Sequence, residues 1–300
     1  MKILHICAGW GETNGVAVAA RLLAREQSAR GDEVGFATWA LPSALRRADE
    51  VWVHCGWLPC LWWAGLFARR LVRMPHACYD PARLAYHGGR KKLVSPIERL
   101  FLRRAERVVV TCDEERSWVE RYLGSRRPPI EVTDMKRFYS FGKFQKKGQT
   151  CFLESSEQVH LLYLGRRHPL KGVELLEKAV GDLNHRNSGQ ASFPKFELRV
   201  VGDALGEEKE RAWEWCDVLV LPSLSENFGL VVAEALERGK RVITTDGAPA
   251  WRGQEGVVYI EGFRDGSDER RIELLGEAIL SLRDEVPGSP GPSWFRCVNG

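Results

Sequence analysis

The sequence predicts an α/β protein built from two Rossmann-like, doubly wound domains, and three observations carry that expectation. Short apolar runs alternate with helical stretches along most of the chain, as in parallel sheets whose strands are linked by helices. Glycine-bearing turns join strand to helix at residues 9–15 (GWGETNG) and 165–172 (GRRHPLKG). The alternation fails over residues 141–157, FGKFQKKGQTCFLESSE, which are polar, glycine-punctuated and without a clear period. A length of 300 residues suits two domains with a core each, placed at 1–145 and 158–300.

In the first domain, residues 2–8 read as a buried strand, 16–30 as a helix ending at Gly31, and 34–39 as a second strand. Residues 51–55 form the next strand. The aromatic run 57–68 follows; it is shorter than the ~20 residues that cross a bilayer and contains Pro59, so it reads as one buried or interfacial helix. A strand opens at Leu71. Arg90, Lys91 and Lys92 together with residues 99–107 give a basic helix with Pro96 in its first turn, then a strand at 108–111. A helix over 114–123 stops at Gly124, and 130–133 is a last short strand.

The second domain opens with a strand at 159–165 and a helix over 173–183, followed by a strand at 196–202 and a helix within 204–215. Residues 217–221 are apolar after Asp217 and stopped by Pro222, consistent with a strand buried on both faces. A loop at 223–229 leads to a short helix from Leu230 that Gly239 caps, then to a strand at 241–245. A further strand at 257–260 and a helix over 271–282 precede a proline- and glycine-rich tail from Pro287. Glu226 sits in the loop and Glu234 about one turn into the helix. The unpaired N–H groups and dipole of that helix start make an anion site flanked by two carboxylates, where open α/β sheets bind ligands.

The string from Leu221 to Gly247 resembles the signature of retaining GT-B glycosyltransferases, especially the large family four that uses nucleotide-sugar donors. The matching residues are Glu226 and Glu234 with Asn227, Phe228, Gly229 and Leu230 between them. GRRHPLKG is similar to the family's Gly-Arg…Lys-Gly loop at Gly165, Arg166, Pro169, Lys171 and Gly172. The turn before Gly15 resembles the family's first loop. LVRMPHACYDP resembles its strand-then-His-Gly segment, with His76 as the candidate and Ala77 where glycine is usual.

The resemblance implies two Rossmann-like domains facing each other across a cleft, with the nucleotide on the second. It implies a hexosyltransferase-type reaction: a sugar moves with retention from a nucleotide-diphosphate donor to a hydroxyl of a saccharide or lipid-linked acceptor. Glu234 would hold the ribose hydroxyls, and Glu226 the donor sugar's hydroxyls or the developing positive charge. Arg166, Lys171 and the amides near Gly229 would stabilise the departing diphosphate. His76 would bind donor or acceptor from the opposite wall, and Gly15 would admit the donor closely. The chain is short for the family: one helix replaces a βα unit before the glutamate motif, and no terminal crossing helix is legible.

Composition bounds the rest. With 44% apolar and 28% charged residues the chain reads as an ordinary globular protein. Its start has no legible signal peptide, and its eight cysteines show neither CxxC nor zinc spacing, which reads as reduced thiols in a cytoplasmic protein. No cofactor or metal site is expected, as there is no DxD at a strand end. Residues 1–150 hold 26 Lys and Arg against 15 Asp and Glu, whereas residues 151–300 hold 18 against 25. A basic first half beside an acidic second half points to a polyanionic partner. An anionic acceptor at the inner face of a bacterial membrane, in polysaccharide or lipopolysaccharide synthesis, fits both charge and family. Two readings stay open: a catalytically weak GT-B-like protein that binds a nucleotide or sugar, and a basic nucleic-acid-binding protein, although no nucleic-acid motif is recognisable.

Overall fold

The computed structural model describes residues 1–86, 88–141, 158–188, 194–202 and 204–282. Two units partition the chain: Met1–Tyr139 together with Ser225–Leu230, and Ser140–Leu224 together with Val231–Gly300. Most of the predicted boundary segment, and the tail from Pro287, lie outside the described residues.

The first unit runs β1 (Lys2–Ile6), α1 (Gly15–Ala29), β2 (Glu33–Ala37), α2 (Pro42–Arg47), β3 (Glu50–His54), α3 (Pro59–Trp62), α4 (Ala64–Phe67), β4 (Leu71–Met74), α5 (Pro81–Tyr86), α6 (Gly88–Arg103), β5 (Arg107–Val110), α7 (Asp113–Leu123) and β6 (Ile130–Val132). Its described strands form one parallel sheet in the order β2-β1-β3-β4-β5-β6. The order reverses between β1 and β3, so the chain leaves a crevice at their carboxyl ends. Asn14 starts α1 by accepting the Val16 amide on its side chain, and the alanine-rich face of that helix (Ala17, Ala20, Ala24) is buried. Asp113, Glu114 and Glu115 complement the amino-terminal dipole of α7.

Two predicted elements are corrected here. The aromatic run is two four-residue helices, α3 and α4, rather than one. Trp57 has a left-handed backbone (φ 69°) and Pro59 opens α3, while Ala64 at the start of α4 is buried. The basic helix α6 begins at Gly88, with Pro96 in its interior instead of its first turn. A proline costs an internal hydrogen bond, and tertiary packing holds this helix despite it. Glu98, fully buried on α6, pairs with the buried Arg73 of β4 at 2.8 Å. The same carboxylate accepts from Tyr79 Oη at 2.5 Å and Trp62 Nε1 at 2.6 Å. Burial alone would raise its pKa; Arg73 and these donors outweigh that and lower it.

The second unit contains β7 (Gln158–Leu164), α8 (Val173–Arg186), β8 (Lys195–Val201), α9 (Gly206–Trp215), β9 (Val218–Leu221), α10 (Leu230–Glu237, its first residue grouped with the other unit), β10 (Arg241–Thr245), β11 (Val257–Ile260) and α11 (Asp268–Ser281). Its described strands are parallel in the order β11-β10-β9-β7-β8. The reversal here lies between β7 and β9. Ser267 caps α11 through the Arg270 amide, and that helix packs against Leu183 of α8 at Gly276. Short strands such as β9 are buried along their whole length, which is why they read as unbroken apolar runs.

Candidate active site

In the second unit, two loops meet at the carboxyl ends of the neighbouring strands β7 and β9. Gly165 leaves β7 with φ 151°, and the turn runs through a short 3₁₀ segment, Pro169–Lys171, to Gly172. Gly172 is left-handed (φ 66°), and a Cβ there would sit 2.2 Å from the Pro222 carbonyl oxygen, so only glycine fits. The Leu224 amide donates to the Leu170 carbonyl at 2.8 Å and joins the two loops. Gly247, after β10, is pressed against Ser223 so closely that its own Cβ would meet that carbonyl. The buried Ser223 hydroxyl has no hydrogen-bond partner among the described residues, the kind of group a polar ligand satisfies.

Arg166 is exposed on this edge, with its carbonyl oxygen held by Tyr163 Oη at 2.9 Å. Lys171 is half-buried at the end of the 3₁₀ turn. The neighbouring Arg167 is committed elsewhere, pairing with Glu177. Glu234 points along α10 to Lys209 on α9, with 2.7 Å between Oε2 and Nζ. Both side chains are about one quarter exposed (24% and 25%), although Glu234 Oε2 itself is buried. Sequence reading missed Lys209: it stands between glutamates on a charged helix, and nothing in its spacing singles it out.

The remaining predicted residues fall in the first unit. His76 is 1% exposed, and Ala77 beside it is equally covered. Both are left-handed (φ 54° and 57°), as are Cys55 and Trp57, so non-glycine strain gathers at the ends of β3 and β4. Ala77 therefore keeps the backbone that a glycine would adopt freely. Its amide donates to the buried Glu115 carboxylate at 2.6 Å, which also receives the Thr111 amide at 2.8 Å. Burial raises the Glu115 pKa, and those amide bonds partly oppose it.

Both ring nitrogens of His76 are engaged, Nδ1 by Asn227 Nδ2 at 2.8 Å and Nε2 by His54 Nδ1 at 2.9 Å. Burial lowers its pKa to about 3, with the Arg83 charge acting the same way, so the ring is neutral at ordinary pH. The backbone N–H of Asn227 donates to Glu226 Oε1 at 3.2 Å. Ser225 donates to Asp80 and accepts from Arg83 Nε at 2.9 Å. Phe228 is buried with its ring 6.1 Å from that of Tyr139, and Gly229 is left-handed (φ 72°). Leu230 lies over Gly15, 3.5 Å from where a Cβ would stand. Asp80, Arg83 and Thr111 were not foreseen; they hold the glutamate loop through contacts that only the fold creates.

Among the described residues, no group of three or more His, Cys, Asp and Glu is placed to hold a metal ion. No described helix is long and apolar enough to cross a membrane.

Comparison with known proteins matches each half of the chain to a glycosyltransferase family. Residues 35–134 match the family described as glycosyl transferase 4-like domain, and residues 158–265 match glycosyl transferases group 1. The D-inositol 3-phosphate glycosyltransferase of Paenarthrobacter aurescens is 28% identical over 211 residues, covering 60% of this chain and 51% of that protein. The chain thus spans about half the length of the curated relatives it matches. Among solved structures, sucrose-phosphate synthase from Thermosynechococcus elongatus aligns with a TM-score of 0.61 at 14% identity, over 94% of this chain and 90% of the other. HepE of Anabaena, in complex with UDP-glucose, aligns with a TM-score of 0.57 at 14% identity, over 93% and 90%. Two parallel α/β units, two family matches in series and this shared architecture make the chain a GT-B-fold protein related to the glycosyltransferases of those two families.

Proposed function

We propose that the chain is a retaining, metal-independent glycosyltransferase that moves a hexosyl group from a nucleoside diphosphate to a hydroxyl of an anionic saccharide, polyol or lipid-linked acceptor. The observation that carries this reading is the joined pair of loops at the β7 and β9 ends, with Arg166 and Lys171 on one and, on the helix after the other, Glu234 paired to Lys209 of α9. In the reaction, the bond from the anomeric carbon to the diphosphate breaks and its electron pair leaves with the diphosphate. The acceptor oxygen bonds to that carbon and its proton passes to an oxygen of the departing diphosphate. Charge grows on the leaving group, so fixed cations aimed there lower the barrier. Arg166 and Lys171 take that role, and Glu234 accepts from the ribose hydroxyls. Glu226 faces the sugar's hydroxyls or its positive charge, and His76 with Asn227 fixes the turn that presents Glu226.

Two of the similar proteins carry names with a phosphorylated small molecule, inositol phosphate and sucrose phosphate. Together with the basic first half, this favours a phosphorylated acceptor in the synthesis of cell-surface saccharides. The test is a screen of common nucleotide sugars for hydrolysis or transfer, with and without EDTA. Turnover with at least one donor, unchanged by chelator and lost in Lys171→Ala, is expected. Chelator-abolished turnover restored by magnesium or manganese would remove the metal-independent mechanism.

A further inference from the structure

Three strands of the first sheet carry a histidine near the carboxyl end, His5 within β1, His54 at the end of β3 and His76 just beyond β4, and the three rings form one chain. His5 Nε2 lies 2.7 Å from Gln27 Oε1, and His5 Nδ1 lies 2.9 Å from His54 Nε2. His54 Nδ1 lies 2.9 Å from His76 Nε2, and His76 Nδ1 lies 2.8 Å from Asn227 Nδ2. All three rings are sealed from solvent at 0%, 0% and 1% exposure. Trp52 stacks on His5 with centroids 5.6 Å apart.

Burial keeps the rings neutral: it lowers the pKa of His5 to about 4, against opposing pulls from Gln27 and Glu50, and that of His76 to about 3. His54, wholly buried between two other imidazoles, is also pushed well down. A neutral imidazole has one N–H and one lone pair, so each ring in such a chain dictates the tautomer of the next. Gln27 presents an oxygen, so His5 donates from Nε2 and accepts at Nδ1. His54 then donates from Nε2 to His5, and His76 donates from Nε2 to His54. His76 Nδ1 is left as an acceptor, which requires the NH₂ side of Asn227. The Asn227 oxygen is thereby turned toward Thr111 Oγ1 at 3.3 Å, a hydroxyl that also lies 3.0 Å, oxygen to oxygen, from Glu115 Oε2. Reversing one member alone sets two N–H groups or two lone pairs face to face in a buried site, which costs a full unmade hydrogen bond.

We infer that Gln27, His5 and His54 are positioning residues: as a relay they hold His76 in its Nε2–H tautomer and so fix the orientation of the Asn227 amide and of the Glu226 turn beside it. The relay itself is independent of the reaction; its consequence for turnover rests on the transferase proposed above. Gln27 sits on α1 and its side chain bonds to His5, so along this chain its effect passes through two imidazoles before His76.

Nitrogen-15 spectra of the histidine rings in the full chain test this. Three Nε2–H tautomers that do not titrate between pH 6 and 8 are expected for His5, His54 and His76. A titrating ring among them, or His76 as Nδ1–H, overturns the relay. Gln27→Met removes the terminal acceptor while keeping size, and His5→Phe interrupts the chain one ring later; if the second does not fold, the first carries the test. In either, His76 is expected to populate its second tautomer, and Gln27→Glu, which keeps an acceptor oxygen, is expected to restore the first. An unchanged His76 signal in Gln27→Met overturns the positioning role. With an active donor in hand, kcat should fall roughly tenfold in Gln27→Met, the size of one hydrogen bond lost from a buried polar chain, with KM for donor within about twofold. Unchanged kcat alongside an altered tautomer would show that the relay does not serve catalysis. Absence of turnover in the unaltered chain with every donor would sink the transferase reading, and the spectra would still decide the relay.

Discussion

At the residue scale, Glu234 and the buried histidines make separable predictions. Glu234 is held by Lys209 at 2.7 Å, so its carboxylate is oriented before any ligand arrives. If it accepts from ribose hydroxyls, Glu234→Ala should weaken binding of free nucleoside diphosphate by ~1–3 kcal/mol, the range for hydrogen bonds to a charged group. Titration calorimetry on the folded variant measures this, and unchanged affinity would take the residue out of the site. The histidines bear on acid stability. Their folded pKa values lie below the ordinary 6.5, so the unfolded chain binds more protons once pH drops under that value. Stability is therefore full above about pH 6.5 and is lost as pH falls toward 4, by roughly 1 kcal/mol per pH unit for each ring. Glu98 acts lower, since its depressed pKa places its loss below the usual carboxylate range, and Glu115, raised by burial, acts in the opposite sense. Urea midpoints at pH 7.5, 6 and 5 isolate the histidine window. A flat profile there would mean the rings are protonated in the folded protein.

At the element scale, two glycines in the second unit predict opposite outcomes. Gly172 is left-handed and its Cβ would collide with backbone, so Gly172→Ala should destabilise by about 2 kcal/mol or more and disturb the loop joined to β9. Gly181 lies in the interior of α8, with nothing within 4 Å of a built Cβ. There, Gly181→Ala should stabilise by ~0.5–1 kcal/mol through helix propensity. Thermal melts of the two variants compare them directly, and equal effects would contradict the assigned backbone. The same contrast explains what the sequence revealed. Strands β3, β9 and β10 were legible because burial on both faces leaves an unbroken apolar run. Helices α2 and α5 were not, because each is six residues long and opens on a proline that reads as a breaker. Pro96 misled in the other direction: it read as the start of α6, and only the Glu98–Arg73 pair shows why the helix runs through it. In the site, Arg166, Lys171, Glu226 and Glu234 were readable because a motif fixes their spacing. The His5–His54–His76 chain was not, since it depends on the parallel register of β1, β3 and β4.

At the scale of the whole molecule, the charge surplus of the first half is partly committed to its own architecture. Arg73 is buried against Glu98; Arg107 pairs with Glu50 at 3.2 Å and Glu131 at 3.3 Å; Arg70 pairs with Glu106 at 2.8 Å. Arg103 of α6 donates to the carbonyls of Leu123 and Arg126. The arginines that a count assigns to a polyanion thus serve in part as clamps between neighbouring elements of the fold. What the count could not show is apolar: Trp39 and Trp63, 62% and 50% exposed, line a pocket with Leu41, Pro42 and Pro59. Trp63 stacks on Phe67, over which Arg46 sits at 4.9 Å. Exposed tryptophan beside arginine suits the interface of an anionic bilayer, where each basic residue contributes ~1 kcal/mol and rings add a part that salt does not screen. A lipid-linked acceptor would place this face on the membrane. Sedimentation should then show binding to anionic vesicles at low salt, weak binding to neutral ones, and release of most of the protein at about 0.5 M salt, where screening is within a few ångströms. The double variant Trp39→Ser with Trp63→Ser should lose the fraction that salt leaves behind. Equal pelleting with neutral and anionic vesicles, or none with either, would leave the soluble phosphorylated acceptor as the substrate class, and turnover on such an acceptor should then be indifferent to both tryptophans.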